Sequence, residues 1–435
     1  MFIQGISDWH LGVPMKIAFF TDCFVPQVNG IVTSLFDLAK GLSDSGHQVF
    51  IVAPRYYRRY REFEYPNVRV LRMPSMPALF YDDYRITLPF DIKIFNILRK
   101  EGIDIVHFEA PFTVALAGIA IAKMLRKPIV GTFHTFIVDP HYLKHGFPTS
   151  KGFQKFGWEY CKFYYNKCDL VTTPSNFTRK ELIRHGLKKE IAIISNGIDI
   201  SMFDNSAAEE FGAQHGLTGP ILFFVGRMAH EKNIEYLIDS MVPVFKSYPS
   251  SKLLLIGDGP QFAEVKGFIE NRDLSGNILM LGRMEHSDLV KSGIFGIADI
   301  FVTASETENQ PMSILEAMAN GIPCVGLSEK GIPDLIIDEV NGLVVPNNDK
   351  DAFSRAIMAI LGNDDLKKSL SLGARREMKR HSSSEVLNSW ERTYREVRGY
   401  RSRGSRMARI PGTIGESARG SDASSSICPK FGSGT

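Results

Sequence analysis

No stretch of this chain stays apolar long enough to span a bilayer. The longest, Val114 to Leu125, is interrupted by Lys123 and suits a buried helix. Cysteine is sparse: Cys23, Cys161, Cys168, Cys324 and Cys428 show no metal-type spacing, and an odd, scattered set fits a reducing cytoplasm. No G-x-G-x-x-G occurs, which counts against a dinucleotide oxidoreductase. The single D-x-D, Asp349-Lys350-Asp351, precedes Ala352-Phe-Ser-Arg-Ala, where helix capping explains it better than metal. No metal site and no resident cofactor are therefore expected. The first fourteen residues carry Asp8, Trp9 and His10 and lack an apolar signal core, so residues 1–14 read as an extension before a start at Met15, with no export signal. Strong net charge is also missing. Residues 401–435 hold six Lys or Arg against two Asp or Glu, so the rest of the chain lies near −1 beneath a total of +3. This Ser-, Gly- and Arg-rich tail reads as disordered. Its basic charge could touch anionic lipid or nucleic acid, a solvated extension explains it as well, and no nucleic-acid partner is expected.

What remains is 435 residues, 44% hydrophobic and 23% charged, enough for two or three domains with sizeable cores. Short apolar strands alternate with helices. Lys16–Thr21, His47–Ala53, Val68–Arg72, Ile105–Phe108, Pro128–Thr132, Leu170–Pro174 and Ile191–Ser195 read as strands of one unit, 15–203. Asp199–Pro220 breaks the rhythm as a linker. The pattern restarts over 204–382, with strands from Ile221–Val225 to Gly342–Val345 and one helix expected over His286–Ala298. A last helix, 383–400, is long enough to cross back to the first unit. Near-continuous apolar strands alternating with helices predict α/β domains with parallel sheets covered on both faces, two Rossmann-like halves facing a cleft.

The cleft candidates follow from strand ends. Glu308 and Glu316 lie in Thr307-Glu-Asn-Gln-Pro-Met-Ser-Ile-Leu-Glu-Ala-Met-Ala-Asn-Gly-Ile-Pro323, with Pro311 expected in the first turn of a helix that Asn320-Gly321 stops. Eight helical residues span about 12 Å, the reach from a hexose past a diphosphate to a ribose. A carboxylate accepts two sugar hydroxyls at once, and the helix start between the two favours phosphate. A Glu complementing a helix dipole and an ordinary helical Glu would give the same spacing. Asn309, Gln310 and Met312 lie between the carboxylates and are assigned to the same ligand. Arg227 closes a strand and Lys232 opens a helix, so both cations can hold a diphosphate. Gly282-Arg283-Met284 follows another strand and is placed around a base. Gly257-Asp-Gly-Pro260 fits either a tight turn or a site. In the first unit Gly30 would let backbone approach a phosphate, and His134 would enter the cleft; His107 near Glu109 is a further strand-end candidate.

Together, Glu308 and Glu316 in Glu-Ala-Met-Ala-Asn-Gly-Ile-Pro, Gly226-Arg227 with Glu231-Lys232-Asn233, Gly257-Asp-Gly-Pro and Asn196-Gly-Ile-Asp199 resemble glycosyltransferase family 4, retaining enzymes of the GT-B fold, from about Met15 to Arg398. Where the family often has glycine this chain has Pro311, which offers no backbone N–H to sugar or phosphate. The resemblance implies that Glu308 holds donor-sugar hydroxyls and Glu316 the ribose diol, while Arg227 and Lys232 neutralise the leaving diphosphate, covered by Gly30 from the first domain. It implies that His134 contacts the donor sugar near the reacting centre. Retention is ascribed to front-face attack assisted by the leaving phosphate, with no protein nucleophile.

Pro26-Gln-Val-Asn-Gly-Ile-Val-Thr-Ser34, Phe133-His-Thr-Phe136 with Tyr142, and Thr307-Glu-Asn-Gln310 look most like the diacylglycerol glucosyltransferases of that family. The implied donor is UDP-glucose and the implied acceptor a membrane lipid; phosphatidylinositol, a glycan, or epimerase chemistry on the same architecture are the alternatives. Arg58 and Arg59, in a run of cations and tyrosines, and Lys151, Lys155 and Trp158, in a basic aromatic helix, are candidate acceptor or membrane contacts, against a helix merely packed on the sheet. A cytoplasmic enzyme, peripheral at the anionic inner membrane face, is the expected setting.

Overall fold

The computed structural model describes residues 13–27, 30–57, 59–78, 85–134 and 151–403. The first half contains β1 (Lys16–Phe20), β2 (Gln48–Pro54), β3 (Val68–Met73), an antiparallel pair β4 (Ser75–Pro77) and β5 (Arg85–Thr87), then β6 (Ile105–Phe108), β7 (Ile129–Thr132), β8 (Leu170–Thr173) and β9 (Ile191–Ile193). Seven of these form a parallel sheet in the order β3-β2-β1-β6-β7-β8-β9. The second half contributes β10 (Ile221–Val225), β11 (Lys252–Ile256), β12 (Ile278–Gly282), β13 (Ile300–Thr303), β14 (Cys324–Leu327) and β15 (Gly342–Val345), parallel in the order β12-β11-β10-β13-β14-β15.

Alternation explains why the central strands β1 and β10 carry no polar face. In β1, Ala18 and Phe20 enter one core cluster while Ile17 and Phe19 enter another on the opposite face. In β10, Leu222 and Phe224 face one cluster and Ile221 and Phe223 the other. Both faces of each sheet are thus buried, which requires the uninterrupted apolar strands seen in the sequence. Strand order reverses at β1/β6 and at β10/β13, and the carboxyl ends of those strands are where such sheets bind ligands.

The final helix, Ser383–Arg403, lies in the first domain. Val386, Trp390, Tyr394 and Val397 recur on one face and join the cluster that holds Ile17 and Phe19. Burying each large apolar side chain contributes on the order of 2 kcal/mol, so the crossing ties the two halves together.

Three local expectations need correcting. The Asp199–Pro220 linker contains a helix, Ala208–Gln214. A helix absent from the sequence reading, Asp364–Met378, packs Leu370, Ala374 and Met378 into the second domain. The stretch expected as one helix over His286–Ala298 is two, His286–Leu289 and Ile294–Ile297. Between them Gly293 takes φ +81, and a Cβ there would meet Ala208 N at 2.4 Å, so backbone contact with the neighbouring helix dictates the break.

Candidate active site

The loop after β13 carries Glu308. Ser305 Oγ donates to Glu308 Oε1 at 2.9 Å, and Lys232 Nζ forms an ion pair with the same oxygen. Lys232 closes a short 3₁₀ turn, His230–Lys232, two residues before the helix Ile234–Ser247. Arg227, on the loop after β10, is exposed and has no ion-pair partner among the described residues. The Gly257-Asp-Gly-Pro turn supports that loop: Asp258 O accepts from Met228 N, and Cβ atoms on Gly257 or Gly259 would lie 1.9 Å from Gly226 O or 2.4 Å from Met228 O. Its glycines are explained by close backbone approach.

Pro311 is the residue before the helix Met312–Ala319, with φ −69 and ψ 124, rather than part of its first turn. Glu316 is fifth in that helix and buried. Its Oε1 lies 2.9 Å from His286 Nε2, a partner that the sequence did not single out. The Glu316 carboxylate raises His286 above the ordinary imidazole range despite its burial, and Asp37 across the cleft adds to the effect. Met284 and Met312 are half-buried at the edge of the same core. Gly30 opens the helix Gly30–Asp44 in the first domain, and a Cβ there would come to 4.0 Å from Met312 Cγ, so these two predicted residues meet across the cleft.

Asn309 and Gln310 do something the sequence did not indicate. Asn309 Oδ1 accepts from the hydroxyls of Ser175 and Thr178, and its Nδ2 donates to His134 O at 2.8 Å and Phe133 O at 3.3 Å. Gln310 Oε1 accepts from Asn196 N at 2.7 Å, and its Nε2 donates to Ser195 Oγ at 2.8 Å. Both side chains are therefore committed to the first domain, although they were assigned to a ligand. They bind the loop of Glu308 to the carboxyl ends of β7 and β9.

His134 follows β7 and hydrogen-bonds Glu109, which follows β6, at 2.6 Å. Close by, Asp22 follows β1. Its Oδ1 accepts from Val114 N and Thr113 Oγ1 at the start of the helix Thr113–Leu125, while Oδ2 has no hydrogen-bond partner among the described residues. Burial drives its carboxyl up to about 7, against the lowering by those bonds.

The membrane-contact candidates divide. Trp158 is half-buried, its ring stacked 3.8 Å from the His185 ring and parallel to Phe133. Lys155 and Arg59 are exposed. On the helix Lys151–Tyr165 the exposed aromatics are instead Phe156 at 66% and Phe163 at 52%. Arg58, Phe136, Tyr142 and the side chain of Lys151 lie outside the described residues. No described helix is long and apolar enough to cross a membrane. Among the described residues no cluster of three or more His, Cys, Asp or Glu could hold a metal ion.

Known proteins share this layout. A model described as Glycosyltransferase Family 4 matches residues 28–202, and one described as Glycosyl transferases group 1 matches 207–377. The chain is 28% identical to an alpha-monoglucosyldiacylglycerol synthase of Acholeplasma laidlawii, over 88% of this chain and 97% of that protein. It is 27% identical to a GDP-mannose-dependent alpha-mannosyltransferase of Corynebacterium glutamicum, over 76% and 77%. The crystal structure of Anabaena HepE in complex with UDP superposes with a TM-score of 0.69 at 18% identity, covering 87% of this chain and 99% of that one, a likeness of fold.

Proposed function

The chain belongs to glycosyltransferase family 4, its second half a group 1 glycosyltransferase domain, and on that premise we propose that it moves glucose from UDP-glucose to a membrane lipid such as diacylglycerol, with retention at the anomeric carbon. The observation that carries this reading is the Glu308 loop. Its carboxylate is held by Ser305 and Lys232, and the next residue, Asn309, grips the carbonyl of His134. A carboxylate that binds sugar hydroxyls and a histidine from the opposite domain are thereby fixed about one cleft.

In this reading Glu308 accepts donor-hexose hydroxyls through the oxygen not engaged by Ser305 and Lys232. Glu316 accepts the ribose diol, with His286 against its other oxygen. Arg227 and Lys232 carry positive charge toward the diphosphate, where negative charge accumulates as the glycosidic bond breaks. Those groups are set before reaction, so little reorganisation is needed. Gly30 and Met312 close the cleft above the phosphates, and His134 meets the hexose near the reacting carbon. Closure of the two domains excludes water, which would otherwise take the hexosyl group. Phe156, Phe163 and Lys155 give one helix an exposed apolar and cationic face, the composition of a surface that docks on anionic lipid at the inner membrane face.

The test is incubation of the enzyme with labelled UDP-glucose or GDP-mannose, with and without diacylglycerol vesicles. Lipid-dependent transfer from UDP-glucose is expected. Label moving only from GDP-mannose would change the donor, and donor conversion without any acceptor would replace transfer by epimerisation or hydrolysis.

A further inference from the structure

β6 and β7 run side by side, with Phe108 opposite Gly131, so the residues that follow them emerge at one point of the sheet edge. Glu109 leaves β6 and His134 leaves β7 there. Glu109 is only 4% exposed, and a buried carboxylate needs partners of opposite charge or good donors. It has two imidazoles. His134 Nε2 lies 2.6 Å from Oε2, and His107 Nε2 lies 3.6 Å from Oε1. Burial opposes charge on Glu109, but the hydrogen bond from His134 favours it, and the carboxyl lies below its ordinary range.

The two histidines are not equivalent. His107 is fully buried: its Nδ1 meets Tyr394 OH at 2.8 Å and its Nε2 meets Thr132 Oγ1 at 2.6 Å. Phe19 and Trp390 flank its ring, and burial lowers its pKa to about 4. It is a neutral, fixed wall behind Glu109. His134 lines a small recess together with Ser34, Glu109, Asn196 and Trp390.

We propose that Glu109 is the positioning residue for His134. Its carboxylate accepts the Nε2–H hydrogen bond, which sets one ring orientation and one tautomer and leaves Nδ1 as the nitrogen available to substrate hydroxyls. An ionised carboxylate only accepts, so the proton of the neutral ring must sit on Nε2. Tyr394, from the returning helix, fixes His107 and through it the wall against which Glu109 rests, so the crossing helix contributes to the site as well as to stability. This role rests on the reading of His134 as a contact of the donor sugar.

The test uses the full chain and the variants Glu109→Gln and Glu109→Asp, with His134→Ala as reference. Ring-nitrogen NMR, with the His134 signals identified by their loss in His134→Ala, reports the tautomer without reference to activity. In the native chain the Nε2–H form is expected to dominate. Glutamine preserves shape but can donate as well as accept, so Glu109→Gln should mix the tautomers. It should also lower kcat by roughly 100-fold, the effect of a misplaced group, with donor KM little changed. Glu109→Asp keeps the charge and should retain the Nε2–H form with a smaller loss of kcat, and it serves if the glutamine variant fails to fold. Unchanged tautomer or kcat in Glu109→Gln, with His134→Ala slow, overturns this inference alone. Native turnover in His134→Ala overturns the underlying reading of His134 with it.

Discussion

Gly331 touches the Glu308 loop without contributing a side chain, and replacing it with alanine tests how tightly that loop must be placed. Its N–H donates to Glu308 O at 2.9 Å. With φ −85 and ψ −5 the backbone suits any residue, so the effect of Gly331→Ala is purely steric. An added Cβ would lie 1.7 Å from Asn309 O, 2.6 Å from Asn309 C and 3.0 Å from Glu308 O. The two backbones must part by roughly 1.5 Å to reach ordinary contact. Little can yield on the far side, because Asn309 is held by Ser175, Thr178 and the carbonyls of Phe133 and His134. The displacement therefore reaches Glu308 and its contact with Lys232. Misplacement by about 1 Å costs on the order of 100-fold in rate, so kcat/KM for hexosyl transfer should fall by about that factor. Overpacking should cost about 1–3 kcal/mol of stability, read as a lowered melting temperature of a still folded protein. Labelled-donor transfer and thermal unfolding on the same preparation separate the two effects. Activity within threefold of native, with unchanged melting, would refute the claim that the loop is held rigidly.

Gly267 is the contrasting case. Inside the helix Phe262–Glu270, with nothing within 4 Å of an added Cβ, Gly267→Ala should stabilise by about 0.5–1 kcal/mol in urea unfolding, and a loss of stability would contradict the open surface described there. Asp22→Asn tests the buried carboxyl. A folded-state pKa of about 7, above the unfolded 3.8, means that the folded chain holds this proton more tightly. The resulting stability is present below about pH 4 and is lost as pH rises to about 7, so unfolding free energies measured over that window should fall less steeply in the asparagine variant. Equal slopes would exclude Asp22 as the source. Glu316→Ala removes the partner of His286 and, in the proposed reading, the acceptor of two ribose hydroxyls, so UDP affinity by calorimetry should weaken roughly 10- to 100-fold, and native affinity would remove the ribose assignment.

Much of the architecture was legible in the chain because strand periodicity is a local property. β1 and β10 bury both faces, and that demand writes itself into the apolar runs 17–20 and 221–225. Glu308, Glu316 and Lys232 could be proposed from the chain alone, because carboxylates and a cation near strand and helix boundaries suggest the chemistry of a charged ligand. The helix Asp364–Met378 was not legible, because its many charged residues hide the few positions that pack. The stacking of Trp158 on His185 was hidden for a related reason: a basic aromatic helix shows which residues it has, but not which of them the fold packs.

By itself, then, the sequence determined the two α/β halves and the family, and it singled out the cationic and carboxylate groups proposed for the cleft. Only the tertiary structure decided that Asn309 and Gln310 bind the domains together, that His286 meets Glu316, and that Glu109 meets His134. Those pairings join residues that lie 25 to 175 positions apart and depend on how the sheets are ordered and closed on each other. No local pattern encodes that distance, because a hydrogen bond across the cleft constrains two side chains and leaves the residues around them free.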